Sequence, residues 1–366
     1  METMETSPSL INWDLAASTA ARLAGPGPNL SAAEISAAVE SLRRLADASV
    51  PHVHHITGLE AARDLRDSQV LVVDRASWSK ANTQSFSVML KPTLEKLLQT
   101  RGQNLTQASA AVGGAVTGAQ LGSVLAFLSS KVLGQYDPFA ALAPGSTSSP
   151  AGRLLLVAPN ILQVERELNV EPEDFRLWVC LHEQTHRVQF AAAPWLREHM
   201  LEQIGRLSGL LMGDMDSLGR RLADAVKSLQ ERRSDAAPGP GGLLELLRDP
   251  EEKATLSHLT AVMSLLEGHA NVVMDAVDAS IVPTVKTIRQ RFNARGKDRG
   301  AVEKFIRNLL GLDAKMRQYT DGAKFVRAVV DQVGMEGFNR VWAEAANLPT
   351  EEEIHDAGRW ILRMGL

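Results

Sequence analysis

One helical stretch, at residues 176–190, constrains the fold of this chain more than any other part of the sequence. It reads Arg-Leu-Trp-Val-Cys-Leu-His-Glu-Gln-Thr-His-Arg-Val-Gln-Phe and contains an H-E-x-x-H motif, with His182 and His186 four residues apart. Neither proline nor glycine interrupts the sequence from Phe175 to Ala193, and Pro194 follows. Such a run predicts an α-helix that ends before the proline. Residues four apart lie on one face of a helix, so two imidazoles can reach one metal ion.

The residues beside the two histidines point to a metal centre that performs chemistry. Pro172 is followed by two acidic residues, which is typical of the first turn of a helix. Glu183 directly follows the first histidine and is placed to act as general base toward a metal-bound water. This pattern is typical of zinc metallopeptidases. On the short motif alone, two ordinary helix histidines beside a surface glutamate stay an alternative.

Composition limits the class of protein to which the chain can belong. Of its 366 residues, 45% are hydrophobic and 22% are charged, which is typical of a globular protein with an ample core. A net charge of −4 argues against general nucleic-acid binding, which favours a basic protein, so no nucleic-acid partner is expected. The N-terminus shows no signal-peptide pattern. A single cysteine excludes an internal disulfide and favours a reducing, cytoplasmic location.

Helical patterns dominate the rest of the chain. Ser31 and Glu34 form a capping box that predicts a helix to about Ala48. Two short apolar runs, at residues 70–73 and 153–160, are strand candidates. The predicted fold class is therefore mainly α with a small β-sheet.

A segment at residues 143–152 is rich in proline, glycine and serine and predicts a loop or a boundary. It separates a helical N-terminal lobe, residues 1–150, from a lobe of residues 151–366 that carries the H-E-x-x-H helix. One continuous domain is the alternative.

A second group of histidines lies in Pro-His-Val-His-His at residues 51–55. In an extended segment His52 and His54 would share one face and could hold a second metal ion. We favour an exposed loop or edge segment, because nothing nearby supplies a carboxylate ligand.

Two further segments each have a plain and a specialised interpretation. Residues 104–130 carry no charge and are long enough to span a membrane. Their alanine, glycine and scattered polar residues favour a closely packed buried helix, so no transmembrane segment is expected. Residues 286–300 are basic and are interpreted as a solvated face rather than a polyanion site.

A catalytic zinc usually takes three protein ligands, of which the motif supplies two. The residues after His186 lack the glycine and histidine of the metzincin extension, and His199 is too near to return to the metal. Glu267 lies in an apolar helical stretch, where a buried carboxylate is costly unless it is paired or metal-bound. We therefore choose Glu267. His269, about 200° around the helix, is the runner-up ligand or a group on the substrate side.

Asn271 and Asp275 follow Glu267 by one and two helical turns on the same face. That position suits side chains that hydrogen-bond the ligand histidines. Both are predicted to orient the metal ligands.

Longer stretches of the chain resemble one known family. They include Leu-Gly-Gln-Tyr-Asp at 133–137, the motif helix through Phe190 with Pro-Trp-Leu at 194–196, Glu-Gly-His-Ala at 267–270 and Phe-Asn-Arg-Val-Trp at 338–342. The chain resembles a family of zincin-like metallopeptidases found mostly in actinobacteria. The name of this family links it to the biosynthesis of the deazaflavin coenzyme. The resemblance implies a largely helical zincin-like fold with one zinc ion per chain. The chain has neither a Rossmann fingerprint nor a P-loop, so no coenzyme-handling role is predicted.

In zincin-type proteases a strand near the motif helix pairs with extended substrate. The strand candidate at 153–160 lies just upstream of the helix, so it is a candidate for this pairing. A small internal sheet without substrate contact is the alternative.

The sequence as a whole predicts a zinc-dependent metallopeptidase acting on a peptide or protein substrate. Glu183 would take a proton from the attacking water and pass it to the leaving amine. Tyr319 and Tyr136 are the candidate donors to the oxyanion. The alternatives are a zinc-binding, non-catalytic interaction protein and a zinc-dependent amidase acting on a small molecule. Glu183 argues against the first, because a structural zinc site needs no general base.

Overall fold

The computed structural model describes residues 10–101, 107–143, 146, 149–211, 250–295 and 319–366. Its first four helices are α1 (Trp13–Leu23), α2 (Ala32–Thr57), α3 (Arg75–Arg101) and α4 (Gln107–Ser129). The next are α5 (Ala158–Leu168), α6 (Pro172–Ala192), α7 (Leu196–Leu211) and α8 (Pro250–Ala276). The last are α9 (Val285–Ala294), α10 (Tyr319–Asn339), α11 (Glu351–His355) and α12 (Ala357–Met364). Short 3-10 turns lie at Glu60–Ala62, Ala140–Leu142, Arg340–Trp342 and Ala345–Asn347.

Three short strands complete the fold: β1 (Gln69–Val73), β2 (Gly134–Asp137) and β3 (Arg153–Val157). The sheet has the order β1-β3-β2, with β1 parallel and β2 antiparallel to β3. The predicted fold class, mainly α with a small sheet, is confirmed. Because β3 is paired along both edges and fully buried, it cannot pair with a substrate. Of the two alternatives for this strand, pairing with substrate is therefore wrong and a small internal sheet is correct. Strands β1 and β2 form the edges of the sheet.

Helix α2 begins as predicted but ends later. The Ser31 hydroxyl accepts a hydrogen bond from the Glu34 N–H at 3.3 Å, and the Glu34 carboxylate accepts one from the Ser31 N–H at 2.8 Å. The helix then continues through Pro51 to Thr57, although a proline inside a helix costs about 3 kcal/mol. Val50, buried within the core on the turn that contains the proline, helps to offset that cost.

The expected extended segment at residues 51–55 is therefore wrong. On a helix His52 and His54 lie about 200° apart, so they do not share a face. His54 instead lies 3.8 Å from the Glu60 carboxylate. Within the described residues the sole group of three side chains able to hold a metal lies elsewhere, at His182, His186 and Glu267.

The main hydrophobic core joins the two ends of the chain. Its buried side chains come from α2, α5, α6, α8 and α10, and include Leu42, Ile161, Phe175, Val262 and Phe325. Strand β1 pairs with β3 across the segment at 143–152, and α2 packs on α6. The main hydrophobic core contains residues from both sides of residue 150. The division into two lobes at this residue stays a prediction.

Helix α4 contains the uncharged segment. In the described part of the chain, Ala111–Ser129 is the one stretch long and apolar enough to cross a membrane, and 33% of it is buried. One face packs closely on α1. A Cβ at Gly122 would lie 2.7 Å from the Thr19 Cβ, so only glycine permits this approach. The other face leaves Val112 and Val116 exposed.

The basic segment after α8 holds helix ends in place. Arg289 donates to the carbonyl oxygen of Val277 at 2.7 Å, just beyond the end of α8, and Arg291 donates to that of Leu168 at 2.9 Å, at the end of α5. Arg295 pairs with Glu167 at 2.8 Å. Cations at helix C-termini satisfy free carbonyls and oppose the helix dipole. Arg291 and Arg295 are also exposed, as a solvated face predicts, so these arginines both face solvent and stabilise helix ends. Residues 296–300 lie outside the described residues.

Candidate metal centre

Helix α6 carries the H-E-x-x-H motif. Polar contacts of Arg187 and Gln184, on the faces of the helix opposite the two histidines, hold it in place. The side chain of Arg187, only 2% exposed, pairs with Asp67 at 2.8 Å. The Gln184 amide donates to the Ala46 carbonyl at 2.8 Å, which ties α6 to α2. Cys180 is fully buried in the main hydrophobic core. The motif helix is therefore anchored on its covered side, which leaves the histidine face to form a site.

His182, His186 and Glu267 come together at one point. The Nε2 atoms of the two histidines lie 3.3 Å apart, and the Glu267 Oε1 lies 3.7 Å from the His186 Nε2. All three donor atoms lie within 4.8 Å of one another. Ligands about 2.0–2.1 Å from a tetrahedral zinc are themselves about 3.3–3.4 Å apart, so the spacing fits this ion. Two imidazoles and one carboxylate also match a known donor set of catalytic zinc.

Gln189 orients His186, and sequence reasoning missed it. Its amide Nε2 donates to the Leu266 carbonyl at 2.8 Å, so its Oε1 must be the atom that accepts from the His186 Nδ1–H at 3.0 Å. With the proton on Nδ1, the Nε2 of His186 keeps a free lone pair for a metal. This arrangement is the usual one for metal-binding histidines. Its sequence signal is a glutamine three residues after the second histidine.

His269 lies outside the cluster, in the core behind it. Its Nδ1 accepts a hydrogen bond from Gln189 at 3.0 Å, and its ring is fully buried beside Phe338 and Trp342. Burial lowers the pKa of His269 to about 3, with His186 acting in the same direction. The Nε2 of His269 has no hydrogen-bond partner among the described residues. The runner-up ligand, His269, therefore contacts Gln189, which in turn contacts the metal-ligand candidate His186.

Glu183 is buried at the edge of the cluster. Burial is the main cause that raises the pKa of Glu183, His186 opposes the shift and Glu267 adds to it, and together they raise this pKa to about 7. A divalent cation among the three ligand side chains would lower it again. A Cβ on Gly134 of β2 would lie 2.7 Å from the Glu183 Cδ, so the carboxylate rests directly on the backbone of that strand. This contact restricts the rotamers open to the carboxylate.

The remaining predicted site residues are less closely tied to the cluster. Asn271 is exposed, and the Asp275 carboxylate pairs with Arg327 at the surface. The Tyr136 hydroxyl donates to the Ala151 carbonyl. Tyr319 is the first residue of α10, and its side chain lies outside the described residues. The roles assigned to these four stay predictions.

Replacing Gln189 by leucine should lower zinc affinity by about 10–100-fold, the usual cost of removing the partner of a metal ligand. The reason is that His186 loses the acceptor that fixes its tautomer. Competition of zinc against a chelator, with the fold checked by circular dichroism, measures the effect. Gln332→Leu, an exposed glutamine on α10, is the matched control. Equal affinity in Gln189→Leu and wild type would show that Gln189 does not position the ligand.

Comparison with known proteins agrees with the geometry. A family model described as zincin-like metallopeptidase matches residues 11–361. A crystal structure of a candidate hydrolase with a novel fold from Chloroflexus aurantiacus is 30% identical and has a TM-score of 0.65, over 97% of this chain and 99% of that one. No curated protein matches the sequence. Because the family match spans nearly the whole chain, the resemblance seen in the sequence is confirmed, and the chain belongs to the zincin-like metallopeptidase family.

Proposed function

We propose that this protein is a zinc-dependent peptidase. His182, His186 and Glu267 would hold one Zn²⁺ per chain, and Glu183 would act as the general base. The observation that carries the proposal is the two-histidine, one-glutamate cluster with a separate, buried carboxylate beside it. When bound, zinc acidifies water and polarises the substrate carbonyl.

The side chains around the cluster would hold and move the proton. Glu183 takes a proton from the attacking water and returns it to the amine that leaves. Its contact with Gly134 fixes the position of the carboxylate, and Gln189 fixes the ring of His186. The ligand side chains of His186 and Glu267 are 16% and 37% exposed, so solvent and substrate can reach the site.

The free edge of β2 supports a peptide as the substrate. The Val157 N–H donates to the Leu133 carbonyl at 2.8 Å, and the register pairs Gly134 with Leu156 and Tyr136 with Leu154. Hydrogen-bonded and non-hydrogen-bonded pairs alternate along antiparallel strands. The backbone groups of Gly134 and Tyr136 therefore face away from β3, where no strand of the described chain pairs with them. An extended peptide added at this edge would lie beside Glu183.

Two tyrosines and the single cysteine bear on the rest of the proposal. Tyr319 and Tyr136 are the proposed oxyanion donors, and Tyr136 would have to release the Ala151 carbonyl to serve. A cytoplasmic location is proposed because the single cysteine is reduced and buried. A buried general base beside the cluster disfavours a protein that uses zinc only to bind a partner.

The proposal is tested on the wild-type protein by measuring its metal content and its action on a diverse peptide library. We expect about one zinc per chain, because the described residues contain one three-ligand cluster, and we expect cleavage of some peptides after metal loading. Mass spectrometry of the products locates the cleaved bonds. A protein that holds one zinc and cleaves no peptide would contradict a peptidase. If it then hydrolysed small amides, the amidase alternative would take its place.

A further inference from the structure

A cavity of about 440 Å³ lies about one helical turn beyond His186 along α6, where Phe190 forms part of its wall. We call it the Arg197 cavity. Its lining is mainly apolar, with Leu65, Pro138 and Phe190 among the walls, and it carries two charged side chains, Asp67 and Arg197. Its size is in the range of sites that hold a side chain or a small ligand.

The position of the cavity follows from α6 and β2. Phe190 is four residues beyond His186 on the same helix face, so it lies about 6 Å further along the axis. The Tyr136 ring packs on Phe190 with 5.4 Å between ring centroids. Strand β2 thus runs from Gly134, which rests on Glu183, to Tyr136 at the cavity wall. A peptide along its free edge would reach the cavity within about two residues of the reacting bond.

The charges in the cavity do not cancel. The Asp67 carboxylate is paired with the buried Arg187 at 2.8 Å. The Arg197 guanidinium donates to the Pro150 carbonyl at 2.6 Å, and within the described residues it forms no ion pair with a carboxylate. Of its five N–H donors, most are therefore available to another acceptor. The cavity consequently presents one uncompensated positive charge in an apolar setting.

We propose that the Arg197 cavity is a substrate subsite that selects a carboxylate within about two residues of the scissile bond. The carboxylate belongs either to an aspartate or glutamate side chain or to the C-terminus of the peptide. A guanidinium forms two parallel hydrogen bonds with a carboxylate, and these charge-assisted bonds are stronger than those to a neutral amide. This inference rests on the proposed peptidase function, because it names the class of substrate for that site.

Arg197 also has a structural contact that the test must separate from recognition. Arg197 donates a hydrogen bond to the Pro150 carbonyl, and Tyr136 donates one to the adjacent Ala151 carbonyl. Both side chains therefore hold the same loop. If Arg197 only held this loop, its loss would slow the cleavage of acidic and neutral peptides alike. Recognition of a carboxylate changes the ratio between the two classes.

The test compares kcat/KM for three peptides that share one sequence, and a separate binding measurement covers the case in which wild type cleaves none of them. The first carries glutamate near the scissile bond and a C-terminal amide, the second has glutamine there and a free C-terminus, and the third has glutamine and the amide. We expect wild type to prefer one of the first two over the third by about tenfold or more. Arg197→Gln should bring that ratio close to one, and Arg197→Lys should keep a preference. Arg206→Gln, on the exposed side of α7, is the matched control.

Binding of the same peptides to a Glu183→Gln variant, with and without Arg197→Gln, separates the two proposals. An acid preference in binding that requires Arg197, without turnover in wild type, would contradict the peptidase and retain the subsite. Turnover with no preference between the three peptides would overturn the subsite and retain the peptidase. A preference that survives Arg197→Gln would also overturn it.

Discussion

Replacing Glu183 by glutamine should reduce kcat/KM for peptide hydrolysis by a factor of about 10²–10⁴, the usual contribution of a general base. The amide has the same size as the carboxylate and fits against Gly134, but it cannot accept the proton of the attacking water. The three ligand side chains are untouched, so the zinc content should not change. Steady-state kinetics on a cleaved library peptide, together with metal analysis, measures both quantities.

The control for Glu183 is Glu336→Gln, an exposed glutamate on α10 that lies outside the site. It removes the same charge and should leave hydrolysis within about twofold of wild type, as surface substitutions usually do. Turnover in Glu183→Gln equal to that of wild type would exclude this residue as the base. If the variant lost both its bound zinc and its turnover, Glu183 would instead be needed to hold the metal ligands in position.

The parts of the site that local patterns encode were predictable from the sequence. The motif helix and its proline boundaries follow from spacing and composition, which depend on neighbours within one or two turns. Glu267 was inferred from a carboxylate in an apolar helix, since such a group needs a partner. The structure places it 3.7 Å from the His186 Nε2.

Features that depend on tertiary contacts were not predictable in the same way. Pro51 suggested a break, but the buried face of α2 carries the helix through it. The role of Gln189 requires the Leu266 carbonyl of another helix at a distance of 2.8 Å, which no local pattern specifies. The central position of β3 depends on pairing with both β1 and β2. An apolar run in the sequence predicts a buried strand, but it does not specify the order of the strands or which strand forms an unpaired edge of the sheet.

Removal of the third ligand should have the second large effect, on the affinity for zinc. Replacing Glu267 by alanine should lower zinc affinity by more than about a hundredfold, because losing a ligand costs more than losing the partner of a ligand. His182 and His186 would remain as a two-histidine site. Glu267 is part-exposed, so its removal leaves no buried charge and the fold should persist. Chelator competition measures the affinity, and circular dichroism checks the helix content.

Glu336→Ala is the matched control, since it removes an exposed carboxylate on α10, outside the site. Zinc affinity should stay within about twofold of wild type, as after most surface substitutions. Asp275→Ala, whose carboxylate pairs with Arg327 at the surface, tests the separate prediction that Asp275 orients the ligand histidines. Wild-type affinity in Glu267→Ala would exclude Glu267 as a ligand. In that case His269→Ala is compared with Gln189→Leu: because the His269 ring contacts His186 through Gln189, a loss of zinc affinity no larger than in Gln189→Leu would assign His269 a positioning role, and a larger loss would make it a ligand.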